Sequence, residues 1–133
     1  MKYLLRSLAI SLSLIVSSWA AVSASAHHSS FMYDMNKTVT IKGVVKEFQY
    51  TNPHSWLILE TKKPDGTLEA WGFEAEGPST LMRAGIRKST IKPGMTLTIT
   101  GHPMKDGRPA AAWISATTED GTVLNPRKGF IAK

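Results

Sequence analysis

Four histidines and no cysteine set the chemistry open to this chain. His27 and His28 stand side by side in "SASAHHSSFMYD", His54 sits in "TNPHSW", and His102 in "TGHPM". Imidazole nitrogen suits copper, zinc and nickel, and among the divalent first-row ions a given nitrogen site holds Cu(II) most tightly. Met32, Met35 and Met104 lie near these histidines in sequence, and thioether sulfur is a soft donor suited to Cu(I). No glycine-rich phosphate loop, nucleophile elbow or cysteine pair offers a rival chemistry. Ser29 and Ser30 have no acid at a readable spacing.

What His27 and His28 do depends on where the mature chain begins. Lys2 and Arg6, the apolar run from Leu8 to Val16 and the small residues from Ser17 to Ala26 read as a secretory signal peptide. The apolar run is too short to span a bilayer. Cleavage after Ala26 frees the α-amine of His27, and amine plus imidazole of one residue chelate a metal. A second imidazole would then complete a three-nitrogen set like that of histidine-brace copper proteins. Cleavage after Ala24 instead starts the chain Ser-Ala-His, where amine, two amides and the third-position imidazole make a square-planar Cu(II) site. Both starts remain open, as does the bland alternative of a solvated leader with adventitious metal affinity. The expected organisation is a signal peptide over 1–26, a leader over 27–37, a barrel domain over 38–124 and a basic tail over 125–133. The expected location is periplasmic or secreted, with no integral membrane segment after processing.

The formal charge of the whole chain is +6, but residues 27–124 carry 11 basic against 10 acidic side chains. The excess lies in the signal segment and the tail. A nucleic-acid binder concentrates its cations on one face of the fold, so no nucleic-acid partner is expected.

The elements that must position the histidines are short and strand-like. "TVTIKGVVKEFQY" (38–50) alternates and is rich in β-branched and aromatic residues, with a bulge or bend expected at Gly43. "TNPH" breaks it, "SWLILET" (55–61) is a second strand, and "KPDGT" a tight turn. "LEAWGFEAE" (68–76) is a third, with Trp71 and Phe73 facing the core. Ser79 or Thr80 is expected to cap a brief helix through Leu81, Met82 and Ala84, ended by Gly85. A fourth strand covers 95–101 with Met95, Leu97 and Ile99 inward, and "AAAWISATTEDGTVL" supplies the fifth and its extension. The tail after Leu124 reads as loosely held. The fold class is thus all-β with one short helix, a five-stranded OB-like barrel in the order β-β-β-α-β-β. An open antiparallel sheet is the alternative.

In the barrel, His54 falls in the loop between strands one and two, and His102 where strand four enters the loop to strand five. These loops border the same ligand surface of an OB barrel, so imidazoles 48 positions apart come near one another. The ten residues from His28 to Thr38 reach roughly 33 Å extended, enough to bring the leader to that patch. Taken singly, His54 reads more readily as a turn residue bonded to the Thr51 or Asn52 backbone than as a ligand, and His102 more readily as a strand-end surface residue. Glu60, Glu69, Glu74 and Glu76 read as a solvated face. Trp56, Trp71 and Trp113 are core or stacking surface; the sequence leaves this open.

At "AHHSSFMYD", "KGVVKEFQYTNPHSW" and "ITGHPMKDGRPAA" the chain resembles an uncharacterised family of small exported bacterial proteins. That family is a domain of unknown function with a His-His-Ser leader, an Asn-Pro-His-Ser-Trp loop and a Gly-His-Pro turn. The matching positions are His27, His28, Asn52, Pro53, His54, Ser55, Trp56, Gly101, His102 and Pro103. The resemblance implies export and a small β-barrel and brings no activity.

Three functions are expected on these grounds. The first is a periplasmic protein that handles a transition metal, copper first, through His27 or His28 with His54 and His102. The second is a metal-free OB-type binding module for an envelope glycan, a peptide or a small ligand. The third is a histidine-brace-like copper enzyme, for which the sequence supplies no substrate surface.

Overall fold

The computed structural model describes residues 31–128. The chain divides into two compact units, 1–31 and 32–133, and the strands all belong to the second. The expected signal peptide, His27 and His28 lie outside the described residues.

Among the described residues, the strands and the short helix succeed one another in chain order: β1 (Val39–Gln49), β2 (His54–Lys62), β3 (Leu68–Glu76), α1 (Pro78–Arg83), β4 (Thr96–Pro103), β5 (Ala110–Thr118) and β6 (Val123–Leu124). The strands hydrogen-bond in the order β3-β2-β1-β4-β5-β6, and a parallel β3–β5 pairing closes the first five into a barrel. β6 pairs only with β5, outside the ring. Five strands closed this way, with a helix between the third and fourth, are the OB-like arrangement expected from the pattern of elements.

Alternation explains the core. In β2, Ser55, Leu57 and Leu59 are buried while His54, Trp56 and Ile58 alternate with them on the outer face. Phe73 and Ala75 of β3, Leu97 and Ile99 of β4, and Ala111, Trp113 and Ala116 of β5 point inward to join Val45 and Phe48 of β1. Two irregularities bend the barrel. The register jumps from Val45↔Leu59 to Glu47↔Ile58, which makes Lys46 the extra residue of a bulge in β1. The bulge thus lies three residues beyond Gly43, which marks a close approach instead: a Cβ there would lie 2.7 Å from the Glu60 carbonyl oxygen. A second jump, from Thr100↔Ser115 to Gly101↔Trp113, adds one residue to β5. There a Cβ on Gly101 would lie 2.6 Å from the Ala112 carbonyl oxygen, so only glycine fits.

Three sequence-based expectations about the helix and the C-terminal end are corrected. Neither Ser79 nor Thr80 caps the helix: Gly77 is the N-cap, no side chain bonds there, and Pro78 opens the first turn. Proline at that place supplies the fixed φ and lacks an N–H that would have no partner anyway. The fifth strand does not run on through 124, because a turn at Glu119–Thr122 separates β5 from β6. The tail is held as far as it is described: Pro126 is fully buried, and Arg127 Nη2 lies 3.6 Å from Glu76 Oε1.

At one end of the barrel, Leu81, Ile86 and Ile91 insert from α1 and the loop after it. The Tyr50 hydroxyl lies 3.0 Å from the carbonyl oxygens of both Pro78 and Ile86, tying that segment to the end of β1.

Candidate functional site

His54 is the first residue of β2 rather than a loop residue. The turn before it is fixed from within: Thr51 Oγ1 donates to the His54 carbonyl at 3.0 Å, and the Asn52–Pro53 peptide is cis. Gly77 lets that turn sit close, since a Cβ there would meet Asn52 Oδ1 at 2.7 Å and the Pro53 carbonyl oxygen at 2.8 Å. The contact with Thr51 thus uses the His54 carbonyl and leaves the ring for another partner.

That partner is Glu74 on β3. Register pairs Trp56 with Glu74 and His54 with Glu76, so Glu74 lies diagonally across from His54 on the same outer face. His54 Nδ1 is 3.0 Å from Glu74 Oε1. A carboxylate oxygen only accepts, so the contact calls for a proton on Nδ1, and in the neutral ring Nε2 then keeps its lone pair. The other oxygen of Glu74 accepts from the Tyr33 hydroxyl. Glu74 is therefore not the solvated carboxylate expected from its strand position; its side chain is 13% exposed and both oxygens are engaged.

Tyr33 reaches Glu74 because the segment Met32–Asp34 docks on the end of β4. Tyr33 bridges Met104, Asp34 N donates to the Pro103 carbonyl at 2.8 Å, and Lys105 N to the Met32 carbonyl at 2.9 Å. Burial leaves Tyr33 only 2% exposed. That burial, with the bond to Glu74 and its negative charge, pushes the phenol well above the ordinary tyrosine range; Arg108 nearby opposes the shift.

His102 lies on the outer face near the end of β4 and is held in the same manner by a different acceptor. Its Nδ1 is 2.8 Å from the Lys37 carbonyl oxygen. A carbonyl only accepts, so this contact too calls for a proton on Nδ1. Among the described residues, neither Nε2 has a hydrogen-bond partner.

Barrel closure thus brings both histidines to one outer face without making them neighbours. Glu74 pairs with Ala112 and Ala112 with His102, so β3 and β5 intervene between β2 and β4. Three strand spacings of about 4.8 Å separate the two backbones. Among the described residues, no three His, Cys, Asp or Glu side chains group closely enough to hold a metal ion. The tryptophans divide: Trp113 is core, Trp71 packs against the core, and Trp56 lies on the outer face over Gly72.

Sequence reasoning missed Tyr33 and Glu74. The signals were an aromatic residue with a hydroxyl in the apolar run "FMY" before the first strand and an acid between Phe73 and Ala75 in a strand closed on both sides.

These features define a small closed β-barrel protein in which the segment Met32–Asp34 docks beside a histidine–carboxylate pair. The chain belongs to a family of unknown function, DUF6152, whose profile matches residues 14–113. No curated protein matches the chain, and no solved structure does.

Proposed function

We propose that this is an exported protein that binds a transition metal, copper first, with His54 and His102 as its barrel donors and the leader histidines His27 and His28 as further nitrogen ligands. One observation carries the reading: both barrel imidazoles are tied at Nδ1 to an oxygen acceptor, and among the described residues neither has a partner at Nε2. Metal-ligating histidines are held in this way, because the second bond fixes tautomer and ring orientation and raises the basicity of the ligating nitrogen. The two positions stand three strand spacings apart, too far to share one ion, so each would offer one donor to a separate ion and the leader nitrogens would supply the others. Their part rests on the sequence alone.

Titration of the mature protein with Cu(II) tests this. The His54→Ala/His102→Ala double variant is expected to lose at least about tenfold in affinity, as loss of metal-supporting residues ordinarily costs. Unchanged affinity would remove both barrel histidines from the site.

A second reading, a metal-free binding module, draws on Trp56. Its indole lies on the β2–β3 face, which in OB folds is the ligand-bearing surface, beside His54 and Glu74. Binding of a glycan or aromatic ligand that quenches tryptophan fluorescence and is lost in Trp56→Ala, with no response to metal, would favour it.

A further inference from the structure

The two donors on Glu74 come from different parts of the chain, one from the docked segment and one from β2. We infer that Glu74 couples docking of the segment Met32–Asp34 to the ligand-ready orientation of His54, so that occupancy of His54 Nε2 and seating of the segment strengthen each other. The part about occupancy rests on the metal reading above; the part about docking does not.

A glutamate side chain has several rotamers, and whichever donor binds it alone must immobilise it. With Tyr33 on one oxygen and His54 on the other, each donor meets a carboxylate already fixed by its counterpart. Glu74 has no other hydrogen-bond or charge partner among the described residues, so losing either donor frees it to turn. A metal at Nε2 holds the imidazole in place and so holds Glu74 for Tyr33. Tyr33 in turn anchors the short ladder in which Asp34 N meets the Pro103 carbonyl and Lys105 N the Met32 carbonyl. Coupling of this kind is reciprocal: what metal does for docking, docking does for metal affinity by the same factor. Glu74 and Tyr33 are then positioning residues, acting through His54.

The test compares mature wild type, Tyr33→Phe and Glu74→Gln. The tautomer of His54 is read by nitrogen NMR in metal-free protein, and exchange of the Asp34 and Lys105 amides is read with and without Cu(II). In wild type, His54 is expected as the Nδ1–H form, with Cu(II) slowing both amides. In Tyr33→Phe the amides should exchange faster, Cu(II) should no longer slow them, and Cu(II) affinity should fall by roughly fivefold or more. Glu74→Gln should add a mixed tautomer. Equal slowing by Cu(II) in all three proteins, or amides in Tyr33→Phe that exchange as in wild type, would overturn the inference. If wild type binds no Cu(II), the metal reading fails separately. The metal-free amides and tautomer then decide the docking part: faster exchange in both variants upholds it and unchanged exchange refutes it. Tyr33→Phe removes one oxygen only, so it carries the test should Glu74→Gln fail to fold.

Discussion

A carboxylate on the outer face of a barrel ordinarily faces water, and at Glu74 it does not. Its burial beneath a docked tyrosine turns an ordinary strand residue into the organiser of the site. Trp113 poses the opposite problem, a polar atom inside the core. Its Nε1 is buried without a hydrogen-bond partner among the described residues, while the ring packs edge-on against Phe48 at 6.5 Å. An unmade bond of this kind costs about 1–3 kcal/mol. Trp113→Phe discards the orphaned donor along with part of the ring, so it should destabilise by less than about 2 kcal/mol. Trp113→Ala, which empties the site, should cost about 3–5 kcal/mol. Urea denaturation separates the two, and equal losses would mean that the indole N–H finds a partner. Gly101→Ala should also be costly, about 1–3 kcal/mol, because the added methyl meets the Ala112 carbonyl oxygen at 2.6 Å and the Ala111 Cβ at 2.8 Å. Wild-type stability in that variant would show that β4 and β5 can part at the bulge.

Elements were legible in the sequence where the pattern was local. Alternation located all five barrel strands, because each buries one face and the side-chain period of a strand is two. Gly43 was a sound sign of close packing but a poor sign of the bulge, which depends on the partner strand's register and falls at Lys46. The helix cap was misread because Ser79 and Thr80 have the right chemistry in the wrong phase; Pro78 had already set the first turn. Part of the site was legible as well. "NPHS" announced a constrained turn next to a histidine, yet the partner of its ring lies 20 residues on, and Tyr33 meets Glu74 across 41. Such contacts arise from strand register and barrel closure, which no short window of sequence encodes. The turn itself yields a prediction at this scale. Gly77→Ala would press a methyl against Asn52 Oδ1 and the Pro53 carbonyl, moving the start of β2 away from α1. The expected result is a stability loss of about 1–3 kcal/mol, together with a changed His54 ring signal in NMR. A variant that loses stability while the His54 signal stays put would show that β2 is positioned by its strand pairing alone.

At the scale of the whole molecule, the docked segment Met32–Asp34 makes part of the barrel's stability depend on a phenol staying protonated. Tyr33 is pushed above its ordinary value first by burial, then by its bond to Glu74 and by that carboxylate's charge. Its folded-state pKa therefore exceeds the unfolded value of about 10. Below about pH 10 both states keep the proton, and the contribution is fully present and flat. As pH rises past about 10, the unfolded chain releases the tyrosine proton while the folded protein retains it, which favours unfolding. Stability should then fall by up to about 1.4 kcal/mol per pH unit from this group alone. The slope of wild type by itself does not isolate this group. Tyr33→Phe removes only the Tyr33 contribution. Urea midpoints between about pH 8 and 11 should decline less steeply in the variant, and the wild-type amides of Asp34 and Lys105 should lose protection no earlier than global unfolding. Parallel slopes in the two proteins would mean that Tyr33 ionises as freely in the folded state as in the unfolded chain. In that event the hydroxyl is not sealed against Glu74, and the segment Met32–Asp34 does not dock on the barrel as a cooperative part of it.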